Sequence, residues 1–189
     1  MSRRTPAKAA TPAPVAYPAE PQASTGRPSV EELQRLVGGA HHNPHSLLGA
    51  HPSATGLVIR ALRPDAEHVT ALVGGERFAM AELHPAVWEV HLPGSPVVDY
   101  RLEVGYQGDT YLADDPYRYL ATLGEMDLHL ISEGRHEDLW TVLGAHLRSY
   151  DAAAGTVTGT SFAVWAPNAR GVRVIGEFNG WVGRAHRTA

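Results

Sequence analysis

The chain has 189 residues, no cysteine and a formal net charge of -4, with a pI near 6.2. The absence of thiols excludes a disulfide framework and a thiolate metal centre, and the mildly acidic balance without a basic block excludes electrostatic capture of nucleic acid or of an anionic membrane. No apolar run approaches the about 18 residues that span a bilayer, and Arg3, Arg4 and Lys8 are followed by no signal-peptide core. With 43% hydrophobic residues the chain can build a globular core, so a cytoplasmic protein is expected.

In chain order, residues 1–28 are mostly Ala and Pro. Pro6, Pro12, Pro14, Pro18, Pro21 and Pro28 interrupt any helix. The segment cannot bury enough apolar surface to offset its ordering entropy, so a disordered tail is expected. Its few acidic residues leave an organelle-targeting role as the alternative. Order begins at SVEELQRLVGG. Ser29 is placed as an N-cap, and Glu32 three residues later completes a capping box. Val30, Leu33, Leu36 and Val37 share a helical stripe, which Gly38 and Gly39 stop.

Strands follow: GLVIRAL (Gly56–Leu62), HVTALV (His68–Val73), AVWEVHL (Ala86–Leu92), VVDYRLEVGY (Val97–Tyr106) and DTYLA (Asp109–Ala113). The turn-forming stretches RPDAE, VGGE, LPGSP and YQGD separate them. In AVWEVHL, Val87, Glu89 and His91 fall on one face and Trp88, Val90 and Leu92 on the other. Trp88 and Tyr100 read as core. Short strands at this spacing predict an antiparallel β-sandwich over residues 29–118. DDPYRY closes it, and Asp114 and Asp115, placed before a proline, suit a turn and strand exit better than acid/base work. Residues 119–150 carry helical spacing in Met126, Leu128, Leu130, Ile131, Leu139, Val142 and Leu143 and are read as a helical connector. The strand pattern returns after Gly155 in TSFAVWAP and GVRVIGEF, where Trp165 reads as core.

The chain repeats itself. Leu48-Gly49-Ala50-His51 recurs as Leu143-Gly144-Ala145-His146, and VIRALRPDAEHVTALVGG (58–75) aligns with SFAVWAPNARGVRVIGEF (161–178). The offset grows between the two segments, and the polar stretch RSYDAAAGTVTG is expected to absorb the difference as a loop. His51 and His146 recur together, which predicts a shared structural contact. On this alignment the second copy, 151–189, stops before the strands that complete the first. The expected fold class is therefore mainly β: an immunoglobulin-like sandwich, one complete module plus a truncated second, with short helices at the start and in the connector. Half a sandwich leaves Phe162, Val164, Val172 and Val174 short of cover.

SFAVWAPNARGVRVIGEFNGW (161–181) resembles the family-48 carbohydrate-binding modules that precede catalytic domains of the α-amylase superfamily. NPHSLLGAH, DPYRY, LGEMDLHLISEGRHEDLW and VLGAH resemble the amino-terminal region of bacterial glycogen branching enzymes, which carry two such modules in tandem. The chain departs from that pattern at Val182, where the family usually has Asp, and at the Arg-Thr-Ala that follows His186. The resemblance implies a parent activity: cutting an α-1,4-glucan and transferring the segment to a 6-hydroxyl. That chemistry needs an aspartate nucleophile and a glutamic acid/base in a β/α barrel. No Gly-Phe-Arg-x-Asp strand or barrel is present here, so no catalytic residue is assigned. The chain is read as a non-catalytic front end whose partners are an α-glucan and a C-terminal catalytic domain. The alternatives are a stand-alone binding or scaffold module, or the front of a related debranching or trehalose-forming enzyme.

The FNGW stretch (178–181) holds the candidate glucan-binding residues, Asn179 and Trp181. Asn-Gly favours a type I′ turn, and an indole beside that turn can stack on the apolar face of a glucose ring. A tryptophan packed between sheets or against a neighbouring domain is the commoner use of the residue. HHNPH (41–45) lies in a Pro-containing loop without metal-ligand spacing or nearby acids, so turn and packing roles are expected; no metal and no cofactor are assigned.

Overall fold

A computed structural model describes residues 26–96, 99–119, 121–152, 155–169, 172–177 and 181. The expected disordered tail, apart from its last three residues, lies outside the described residues.

Helix α1 (Val30–Val37) forms where its cap chemistry places it. Ser29 Oγ accepts from Glu32 N at 3.2 Å, and Ser29 N donates to the Glu32 carboxylate at 2.9 Å. Only Leu33 and Leu36 of its stripe are buried. A 3-10 turn over Pro44–Ser46 leads to the strands.

Eight of these strands form two antiparallel four-stranded sheets. The first runs β1 (Gly49–Ser53), β2 (Gly56–Leu62), β6 (Val87–Pro93), β5 (Ala81–His84). The second runs β4 (Glu76–Ala79), β3 (His68–Val73), β7 (Tyr100–Tyr106), β8 (Asp109–Ala113). The period of two decides what each face meets. Leu57, Ile59 and Ala61 of β2, Trp88 and Leu92 of β6, Val69 and Ala71 of β3, and Tyr100, Leu102 and Val104 of β7 form one buried cluster. The other face of the first sheet is covered too. Val87 packs with Leu33, Leu36, Leu47 and Leu48, so α1 and the turn after it roof that side. Trp88 and Tyr100 are core, as expected.

Within these two sheets three strands were not anticipated, β1, β4 and β5, and all three are sheet edges. Edge strands are short and polar and need no alternation, and Pro52 in β1 is tolerated because an edge leaves one row of N–H groups unpaired.

The connector contains α2 (Glu125–Ser132) and α3 (Leu139–Val142). Met126 and Leu128 are exposed, so their spacing reports helicity without burial. Then β9 (Gly144–Ala152) and β10 (Gly155–Ala163) pair as a two-stranded hairpin. This corrects the expected loop at RSYDAAAGTVTG, which is β-ladder over residues 148–152 and 155–159. β1 and β2 share five register pairs, whereas β9 and β10 share nine. Gly49 faces Arg60 and Gly144 faces Ala163, so the register at the base is the same and the inserted residues lengthen the two arms. Thr, Val and Tyr in those arms have β preference that their polar neighbours masked.

Two further expectations fail. Residues 172–177 of GVRVIGEF form no strand. Trp165 is 58% exposed and is not core. Its counterpart in the first copy is Leu62, which packs against the α1 cluster rather than between the sheets; Trp165 itself lies two residues past the end of β10, outside the strand. Phe162, Val164 and Val172 are 49%, 61% and 54% exposed, while their counterparts Ile59, Ala61 and Val69 are 0–1% exposed. The loss of cover expected for these three is what the structure has, whereas Val174, of which the same was expected, is half-buried. Among the described residues, no helix is long and apolar enough to cross a membrane.

Candidate functional site

The Trp181 backbone N–H donates to Gly176 O at 2.9 Å, and its φ is +58°. The indole is 66% exposed, and the nearby Val172 and Ile175 are exposed as well. An exposed indole has a ring face open to solvent, which stacking on a sugar requires. Asn179 and the Asn-Gly turn lie outside the described residues.

A second constellation sits where the first module hands over to the hairpin. DDPYRY is held by a buried polar network. Asp115 is fully buried, and its Oδ2 accepts the Tyr100 hydroxyl proton at 2.6 Å. Its Oδ1 accepts from Arg63 Nη2 and from Tyr117 N, each at 3.4 Å. Burial raises the Asp115 carboxyl above the ordinary range, and the Arg63 charge works against that. The same burial, with the Asp115 charge, pushes the Tyr100 phenol well up. Asp115 caps the 3-10 turn Pro116–Arg118. This is the turn and strand-exit role expected of the Asp114–Asp115 pair.

Arg118 then ties the turn to its surroundings. It donates to both oxygens of Asp99 at 2.9 and 2.6 Å and to Asp114 at 2.6 Å. Its guanidinium lies 5.1 Å from the centre of the Tyr119 ring. The Tyr119 hydroxyl donates to Asp114 at 2.9 Å. Tyr119 also stacks on Tyr150 of β9, with ring centres 5.0 Å apart and planes 25° from parallel. An open cleft of about 600 Å³ lies between this turn and the hairpin, with Tyr117, Tyr119, Tyr150 and Arg148 among its walls.

The histidines of HHNPH serve packing and turns. His41 and His42 stack at 5.5 Å, and His41 Nδ1 accepts from Asn43 N. His45 meets Tyr117 edge-on at 5.0 Å, and burial lowers its pKa. Among the described residues, no group of three or more His, Asp or Glu is placed to hold a metal. His51 and His146 do share a contact: each ring bonds the carbonyl three residues before it.

The Tyr119–Tyr150 junction escaped the sequence reading. DPYRY marked one half of it, but nothing in the local pattern of SYDA names Tyr150 as the partner.

The comparisons with known proteins agree with this layout. Residues 29–117 match the family model of the alpha-1,4-glucan branching enzyme GlgB, N-terminal domain, and residues 142–189 match carbohydrate-binding module 48 (isoamylase N-terminal domain). The 1,4-alpha-glucan branching enzyme GlgB of Mycolicibacterium paratuberculosis is 57% identical over 82% of this chain and 22% of its own. That of Rhodococcus jostii is 58% identical over 83% and 22%, and that of Frankia casuarinae 60% identical over 82% and 20%. The chain therefore spans about a fifth of the length of the relatives it matches. The chain thus matches the N-terminal region of the GlgB branching enzymes, a GlgB N-terminal domain followed by a carbohydrate-binding module 48.

Proposed function

We propose that this chain is the non-catalytic, glucan-positioning region of a branching enzyme whose reaction moves an α-1,4-glucan segment onto a 6-hydroxyl. The observation that carries the reading is the 57–60% identity to GlgB enzymes over four-fifths of the chain. The exposed indole of Trp181, within the segment that matches a carbohydrate-binding module, supports a glucan contact there, with Asn179 beside it. The working division is a first sandwich over 29–118, a connector that begins at 119 and ends with α3 rather than at the expected 150, and a second, carbohydrate-binding unit that takes in the whole of β9 from Gly144 rather than starting at 151. The chemistry belongs to a separate catalytic domain, a second partner of this chain, and the place of action is the cytoplasm. Native electrophoresis of the 189-residue chain in gels with and without glycogen tests the binding. Retardation by glycogen that weakens in Trp181→Ala is expected; migration indifferent to glycogen would refute it. Iodine spectra of amylose incubated with the chain should stay unchanged, and a shift would show catalysis where none is proposed.

A further inference from the structure

We infer that the cleft between the Pro116–Arg118 turn and the β9–β10 hairpin is a second α-glucan site, separate from Trp181. The inference rests on the glucan-binding reading above and adds a place to it. Cross-strand pairing puts Tyr150 opposite Val157, Arg148 opposite Gly159 and His146 opposite Ser161. Paired residues share a face, and the stack of Tyr150 on Tyr119 shows that this face looks toward the first module. Along it Gly159 leaves a gap. A Cβ built there would meet no atom within 4 Å, so the strand gives up side-chain packing at the place where the cleft is open.

The chemistry of the walls selects the ligand. Tyr117 and Tyr150 line the cleft with aromatic surface, and Tyr119, engaged by Tyr150, Arg118 and Asp114, holds Tyr150 in place. Asp114, the carboxylate on the wall, is compensated by Arg118 at 2.6 Å. Arg148 spends one of its five N–H donors on Ser161 Oγ at 3.0 Å. Rigid aromatic surface, a forked donor and a compensated carboxylate suit a neutral, polyhydroxylated chain. The volume of about 600 Å³ accommodates a few sugar rings.

The test is equilibrium binding of maltoheptaose to the 189-residue chain, read by intrinsic fluorescence, in wild type, Gly159→Ile, Trp181→Ala and the double variant. Ile suits a strand and fills the gap, so thermal unfolding of Gly159→Ile should match wild type. Binding that survives Trp181→Ala should fall about ten-fold on adding Gly159→Ile, a loss of about 1.4 kcal/mol. Should Gly159→Ile melt early, Arg148→Gln takes its place and should weaken the same binding. If the binding left in Trp181→Ala is indifferent to both cleft variants, the cleft is not a glucan site. If inorganic phosphate displaces maltoheptaose from the cleft in Trp181→Ala, Arg148 serves an anion and the inference also falls. Binding lost in Gly159→Ile yet unchanged in Trp181→Ala would support the cleft and remove Trp181 from the glucan-binding reading.

Discussion

His51 and His146 make the same hydrogen bond 95 positions apart: Nε2 of each donates to the carbonyl oxygen three residues earlier, Leu48 at 2.9 Å and Leu143 at 3.0 Å. In both copies a left-handed glycine follows that carbonyl, Gly49 with φ of +96° and Gly144 with φ of +101°. Leu-Gly-Ala-His is thus a strand-entry device in which the glycine turns the chain and the imidazole closes the turn.

The two histidines differ in burial, and their deletion should reveal it. His51 is 5% exposed and its Nδ1 has no partner, whereas His146 is half-buried. His51→Ala leaves the Leu48 carbonyl unpaired away from water and should cost about 1–3 kcal/mol. His146→Ala lets water replace the ring and should cost under about 1 kcal/mol. Urea unfolding of both variants measures this, and equal losses would contradict it.

The glycines form a second matched pair. A Cβ on Gly49 would collide with the Tyr117 carbonyl oxygen, but one on Gly144 would meet nothing within 4 Å. Gly144→Ala should therefore show only the left-handed penalty, about 1–2 kcal/mol. Gly49→Ala should lose clearly more, because backbone must move. Thermal melts that rank them the other way would remove the steric argument.

Alkaline pH should weaken the first module. Burial, and then the Asp115 charge, raise the phenols of Tyr100 and Tyr117; burial and the Asp114 bond raise Tyr119 to about 12. A group whose folded pKa is raised contributes stability that is whole below the unfolded value, 10.0 for a phenol, and is lost as pH climbs toward the folded one. Unfolding free energy should hold up to about pH 9 and fall between about pH 10 and 12. Tyr100→Phe should lower stability at pH 8 by about 1–3 kcal/mol, since it takes a partner from a buried carboxylate, and should flatten the alkaline fall. An unchanged slope in that variant would assign the fall to other groups.

Arg118→Lys should not behave as a conservative change. The guanidinium serves Asp99 with two bonds and Asp114 with a third, with only 2% of its side chain exposed. An ammonium cannot make the fork or lie flat on Tyr119. Because both carboxylates are about half exposed and can rehydrate, a loss of about 1–3 kcal/mol is expected rather than the larger cost of a wholly buried pair. Hydrogen exchange should also quicken across the 3-10 turn at Pro116–Arg118. Unaltered exchange there would mean that Arg118 does not hold the turn.

What could be read from the residues follows from how local each signal is. Ser29 and Glu32 are three residues apart, and β2, β3, β6 and β7 carry their own alternation, so their places could be found without a structure. The edge strands β1, β4 and β5 carry little alternation, because one side of an edge pairs with nothing. The hairpin arms were hidden by the polar residues that a two-stranded, solvent-facing ribbon accepts. Trp165 was misplaced by type: its hydrophobicity suggests core, but it lies past the end of β10 and matches Leu62, which faces α1 and not the space between the sheets. For the candidate site, Trp181 stood out as an aromatic after Asn-Gly. Tyr119 and Tyr150 meet across 31 positions, and only folding brings them together.

The nine-pair length of the hairpin has a mechanical meaning. At about 3.3 Å per residue its arms reach about 30 Å, and the contact resolved at the ring level between it and the first module is the Tyr119–Tyr150 stack. Tyr150 lies two residues before the end of β9, so the stack braces the ribbon near its tip, about 20 Å from the base at Gly144. Asp99 and Asp114, through Arg118 and Tyr119, thus hold the clamp that keeps the far end of the ribbon against the first module.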